Sequence, residues 1–76
     1  MTIHEQIAAI CRRFPGRAWG ATELVSEIVA EFGSNGGSVV LSDHAYSDKS
    51  RNKYCRCVLD GAPLLHRISR GVYALN

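Results

Sequence analysis

Apolar residues recur at helical spacing near the start of the chain. Thr2 and Glu5 have the spacing of a capping box, in which each residue bonds the other's backbone N–H. Pro15 and Gly16 are typical of the residues that end a helix. The four large apolar side chains between these signals fall on one face: Ile3, Ile7, Ile10 and Phe14. The pattern predicts a first amphipathic helix.

A short extended segment and a second helix follow. Residues 17–20 can pair with a later strand, and Gly20 or Thr22 is the predicted cap of a helix that runs to about Glu31. Its apolar face comprises Leu24, Val25, Ile28, Val29 and Phe32. The opposite face carries Glu23, Glu27 and Glu31. These glutamates indicate either a solvated acidic face or an acidic docking surface, and the glycine-rich residues 33–37 indicate a connecting loop.

The third predicted helix spans about residues 47–60 and is amphipathic and basic. Ser47 is its predicted N-cap, and Gly61 with Pro63 marks its end. A rotation of about 100° per residue places a polar set in one narrow sector, opposite Tyr54, Cys55 and Val58. That set comprises Lys49, Asn52, Lys53 and Arg56. Such side chains bind phosphates and base edges, although an ordinary solvated basic face has the same composition.

Residues 64–75, LLHRISRGVYAL, have the pattern of a β-hairpin. Gly71 supplies the positive φ that a tight turn needs, and Arg70 beside it is expected to point outward. Val72, Tyr73 and Leu75 are strand-prone, and we expect Tyr73 in or at the edge of the core.

Composition and charge narrow the class of protein. The chain has 76 residues, enough for one domain, and no apolar run approaches the ~20 residues that span a membrane. The net charge is only +2, but residues 38–76 carry six basic and three acidic side chains, a net charge of +3. This asymmetry favours an anionic partner. An odd number of cysteines and the lack of a basic-then-apolar leader favour a cytoplasmic protein.

In the order of its predicted elements, the chain resembles the winged helix-turn-helix family. The order is helix, short extended segment, helix, loop, basic helix and hairpin, and the ending RGVYAL is similar to the family's wing. Residues 41–47, LSDHAYS, are also similar to a Ser-Asp-x-x-Tyr-Asn stretch of small winged-helix-like domains that accompany restriction and phage-defence proteins. Ser47 stands where that stretch has asparagine.

The resemblance implies a single α+β domain over residues 1–76, with three helices and a C-terminal hairpin wing. It implies double-stranded DNA as the partner, with the third helix in the major groove and the wing on the flanking backbone or minor groove. The implied contact residues are Lys49, Asn52, Lys53, Arg56, Arg67 and Arg70. The alternative is a protein-interaction module, such as a phage or mobile-element inhibitor of a host nucleic-acid complex. The predicted core comprises Ile7, Ile10, Phe14, Leu24, Ile28, Val58 and Leu59.

The chain also contains cysteines, histidines and a Ser-Asp-His run that could belong to a metal site or a catalytic site. The candidate ligands are Cys11, Cys55, Cys57, His4, His44 and His66. Two cysteines separated by one residue within a helix would point about 200° apart, so they could not hold one ion. The Ser42-Asp43-His44 run lacks the nucleophile elbow of a hydrolase. The sequence therefore predicts no metal, no cofactor, no membrane association and no enzymatic activity.

Overall fold

The computed structural model describes residues 1–45 and 55–76 and has an α+β architecture, as the sequence predicts. Short 3₁₀ helices at Gly36–Ser38 and Leu41–His44 link the second helix to the third. The other described elements are α1 (Ile3–Arg12), β1 (Ala18–Gly20), α2 (Ala21–Phe32), α3 (Arg56–Leu59), β2 (Leu65–Ser69) and β3 (Val72–Leu75). Among the described residues, no helix has the length and apolarity to cross a membrane.

Helix α1 begins at the predicted capping box. The Glu5 N–H donates to Thr2 Oγ1 at 3.1 Å, and the Thr2 N–H donates to Glu5 Oε1 at 2.9 Å. Both donors would otherwise lack an intrahelical partner, which is why this residue pair starts a helix. At the other end, an ion pair between Arg13 and Glu31 links α1 to α2.

The three strands form one antiparallel sheet in the order β1-β3-β2. Strand β1 pairs with β3 so that Trp19 stands opposite Tyr73, and both side chains are buried. The predicted pairing of residues 17–20 with a later strand is thus confirmed. Gly71 has φ 73° in the β2–β3 turn, a conformation that side chains with a Cβ rarely adopt. A register shift between Arg67 and Ser69 marks a bulge in β2.

The core lies between the helices and one face of the sheet. Its fully buried side chains are Ile7, Leu24, Ile28, Leu65, Trp19 and Cys11. Two predicted core residues are instead exposed: Phe14 at 50% and Leu59 at 66%. Phe14 lies beyond the end of α1, so it leaves the helical stripe and packs edge-on against Trp19, 5.9 Å away. Leu59 ends α3 on its solvent side, and Val58 is half-buried.

The prediction of one continuous helix over residues 47–60 is wrong at Cys55. This residue has ψ 151° and stands at the N-cap of α3, and its N–H donates to the Asp43 carbonyl at 2.8 Å. Within a continuous helix that N–H would bond the carbonyl four residues earlier. The predicted end is confirmed, since Asp60 is the C-cap and Gly61 has φ 79°.

Candidate functional site

The predicted DNA-contacting residues divide into two groups. Arg56, Arg67 and Arg70 lie in the described part of the chain, and all three are exposed. Lys49, Asn52 and Lys53, together with the predicted N-cap Ser47, lie outside the described residues. The structure therefore locates the hairpin arginines and the arginine that opens α3.

Arg56 is the first residue of α3, and its side chain is 84% exposed. Its Nε donates to Asp60 Oδ1 at 3.1 Å, an i,i+4 ion pair on the helix surface. Exposed pairs of this kind contribute about 0.3–0.5 kcal/mol, so a phosphate or a base edge can readily replace the carboxylate.

The β2–β3 hairpin presents two more arginines, Arg67 in strand β2 and Arg70 in the turn. Every residue of β2 after Leu65 is exposed, and β2 is an edge strand of the sheet. Arg67 Nε lies 3.4 Å from the Ser69 carbonyl, and Arg70 precedes Gly71 in the turn. Among the described residues, neither Arg67 nor Arg70 forms an ion pair with an acidic side chain. Within residues 1–45 and 55–76, the hairpin therefore carries two positive charges without an acidic partner.

The acidic face of α2 is partly neutralised from within the domain. Glu23 pairs with Arg17 at 3.0 Å, and Glu31 pairs with Arg13. Arg17 also stacks over the Trp19 ring, with its guanidinium carbon 3.9 Å from the ring centroid. These contacts favour the interpretation of the glutamates as a solvated face with local partners.

A second polar cluster brings together side chains that are remote in sequence. We call the set His4, His44, Cys55 and Cys57 the His/Cys cluster. Each residue offers one nitrogen or sulfur atom that could bind a metal, and these four atoms all lie within 4.8 Å of one another. Cys55 Sγ lies 3.3 Å from His4 Nδ1, and the two imidazole centroids are 5.5 Å apart. His4 comes from the first turn of α1, and His44 ends the second 3₁₀ helix.

The cluster corrects the sequence prediction that the Cys55 and Cys57 thiols point apart. Because Cys55 has an extended backbone and only Cys57 is helical, the rotation of about 200° between them does not apply. The bond from the Cys55 N–H to the Asp43 carbonyl holds this extended residue beside His44. His4, 51 residues from Cys55 along the chain, has no local sequence signal that places it here.

Burial controls the protonation of two cluster members. Burial lowers the pKa of His44, whose side chain is only 6% exposed. Its Nδ1 has no hydrogen-bond partner among the described residues. Burial also raises the pKa of the Cys57 thiol, although the backbone N–H of Leu64 acts against this shift.

Two kinds of chemistry suit sulfur and imidazole donors at these distances. A single thiol beside an imidazole is the arrangement of a cysteine nucleophile with its base. Two thiols and two imidazoles that converge are the donor set of a tetrahedral metal site. Cys11 and His66 lie outside the cluster: Cys11 is buried in the core, and His66 hydrogen-bonds Asn76 at 2.9 Å.

The structure is a small α+β domain that carries exposed arginines on its hairpin and a His/Cys cluster beside α1 and α3. The chain belongs to the family DUF7225, a domain of unknown function, which matches residues 2–75. No curated protein and no solved structure matches the chain significantly.

Proposed function

We propose that the chain is a double-stranded-DNA-binding module with winged helix-turn-helix architecture. One observation carries the proposal: a C-terminal hairpin on a β1-β3-β2 sheet presents Arg67 and Arg70, and the helix just before it presents Arg56. This arrangement has the element order of the winged family that the sequence resembles. Guanidinium groups without firm acidic partners are suited to phosphate oxygens and guanine edges.

The residues have distinct proposed roles. Lys49, Asn52, Lys53 and Arg56 belong to the segment that would face the major groove, where Arg, Lys and Asn distinguish base pairs. Arg67 and Arg70 would contact the flanking backbone or minor groove, which strengthens binding to every sequence. This is a binding function, and we propose no catalytic role for these side chains.

A protein partner is the alternative, and exposed apolar side chains favour it. Leu59 is 66% exposed and Ile68 is 53% exposed, and they accompany the cations of α3 and the hairpin. Apolar residues among cations suit an acidic protein surface better than a bare phosphate backbone. The neutralised glutamates of α2 give less support to a basic partner. Duplex DNA still ranks first, because the element order and the exposed arginines Arg56, Arg67 and Arg70 support it.

Fluorescence anisotropy with a labelled mixed-sequence duplex tests the proposal. Three to five phosphate contacts predict a slope of roughly −3 to −4.5 for the logarithm of affinity against the logarithm of salt concentration. A titration with poly-glutamate at the same salt concentrations controls for general attraction to polyanions. If the folded chain shows no duplex binding at low salt, the DNA proposal fails and the protein-partner alternative takes its place.

A further inference from the structure

We propose that the His/Cys cluster is a zinc site in which His4, His44, Cys55 and Cys57 supply all four ligands. The inference is independent of DNA binding. It depends on the convergence of these four side chains, which belong to the start of α1, the end of the second 3₁₀ helix and the start of α3.

The distances fit a tetrahedral ion after a small contraction. Zn–S bonds of about 2.3 Å and Zn–N bonds of about 2.0–2.1 Å place tetrahedral ligands about 3.3–3.8 Å from one another. The 3.3 Å between Cys55 Sγ and His4 Nδ1 already lies at the lower end of that range. All other donor pairs lie within 4.8 Å, so no donor pair needs to close by more than about 1.5 Å. Side-chain torsions can supply a shift of this size.

The nitrogen and sulfur donors of the cluster indicate which metal it would bind. Thiolates and imidazoles favour zinc over magnesium and calcium, which bind oxygen ligands. Two thiolates also balance the charge of one Zn²⁺, so the complex would be neutral overall, which lowers the cost of holding it in a partly buried site. The cysteines must lose their protons when they bind, so zinc uptake should release about two protons per chain.

The surroundings of the cluster support a metal in two further ways. The His44 ring is buried without a hydrogen-bond partner for Nδ1 among the described residues, an arrangement that is unfavourable unless a ligand or a water compensates. The Leu64 N–H lies against the Cys57 sulfur, where it would stabilise a metal-bound thiolate. Direct ligation of Nδ1 would supply the missing partner.

A set of four protein ligands is typical of a structural ion. Structural zinc sites have a closed ligand set, whereas catalytic sites keep one position for water or substrate. Helix α3 has four residues, too few to be stable alone, and Cys55 is its N-cap while Cys57 lies in its first turn. Zinc would therefore attach the start of α3 to α1 and to the second 3₁₀ helix.

Metal analysis of the purified chain tests the proposal. Protein prepared under reducing conditions without chelator should contain about one zinc per chain. The reduced apo chain should bind Co²⁺ with the visible absorption of a tetrahedral ion and thiolate-to-metal charge-transfer bands. Cys55→Ser, Cys57→Ser and His4→Gln should each lose stoichiometric zinc and change the Co²⁺ spectrum. Matched controls are Cys11→Ala and His66→Gln, which alter the same residue types outside the cluster and should retain the metal.

Two outcomes would overturn the zinc site. One is a folded, reduced chain that contains no zinc and gives only the spectrum of hydrated Co²⁺. The other is a loss of metal from the control variants as large as that from the cluster variants. The Co²⁺ spectrum of the unmodified chain decides the question even if cluster variants do not fold. Because no DNA is present, failure here is distinct from failure of the proposed function.

Discussion

Removal of the two hairpin arginines should change how DNA affinity depends on salt. In the double variant Arg67→Ala/Arg70→Ala, the hairpin loses two exposed guanidinium groups that have no acidic partner among the described residues. Each lost phosphate contact reduces the salt slope by about 0.9, so two lost contacts reduce it by about 1.8. From 50 to 200 mM salt, the ratio of unmodified to variant affinity should therefore shrink by about twelvefold.

The assay is anisotropy with one duplex at several salt concentrations across that range. The double variant Arg12→Ala/Arg13→Ala is the matched control, because it removes the same net charge from the end of α1, outside the proposed surface. The control should keep the slope of the unmodified chain to within about 0.5. Equal losses of slope in both double variants would show that only net charge matters and would refute the assignment of the hairpin as a contact surface.

Three further predictions concern single side chains. Leu65→Ala should destabilise the fold by about 3 kcal/mol, because Leu65 is fully buried. Leu59→Ala, at a site 66% exposed, should change stability by less than about 0.5 kcal/mol. Urea denaturation measures both, and equal effects would contradict the burial described. Arg56→Ala should weaken binding to a preferred duplex by about 1–3 kcal/mol while its denaturation midpoint stays near that of the unmodified chain, and an unfolded variant would contradict its exposed position. Thr2→Ala removes the capping-box acceptor and should cost about 1 kcal/mol in urea denaturation, so an unchanged midpoint would contradict a stabilising cap.

Local signals predicted much of the fold from sequence. The capping box, the start of α2 at Gly20 or Thr22 and the Gly71 turn each depend on a few adjacent residues. The structure confirms the capping box and the turn, and of the two candidate caps it has Gly20. The sequence also predicts the short segment 17–20 as an extended stretch that can pair with a later strand, and Ala18–Gly20 pairs with β3. Short-range pattern therefore sufficed for the elements that have strong end signals.

The errors arose where tertiary contacts override a helical repeat. Periodicity placed Phe14 and Leu59 in the core, but α1 ends before Phe14, and Leu59 lies on the solvent side of α3. The same assumption of a continuous helix led to the wrong prediction that the thiols of Cys55 and Cys57 point apart. A hydrogen bond from the Cys55 N–H to the carbonyl of Asp43, 12 residues earlier, holds Cys55 in an extended conformation. Such a bond has no signature in a periodic pattern.

The predicted DNA surface stays a prediction at Lys49, Asn52 and Lys53, which lie outside the described residues. Arg56, Arg67 and Arg70 have the predicted exposure, which DNA binding requires but a solvated basic face also provides. The His/Cys cluster shows the converse case. Cys55 and Cys57 are close in sequence, but His4 and His44 have no metal-site spacing to them. Only the packing of α1 against the chain around His44 and Cys55 brings the four side chains together.

The most direct measurement is an ¹H–¹⁵N NMR titration of the labelled chain with duplex DNA at low salt. If the proposed surface binds DNA, amide shift changes should concentrate in the β2–β3 hairpin around Arg67 and Arg70 and at the start of α3 around Arg56. The exposed face of α2 around Glu27 should change little. Shift changes centred on α2, or an unchanged spectrum at saturating duplex, would contradict the claim that the chain binds DNA through its hairpin and third helix.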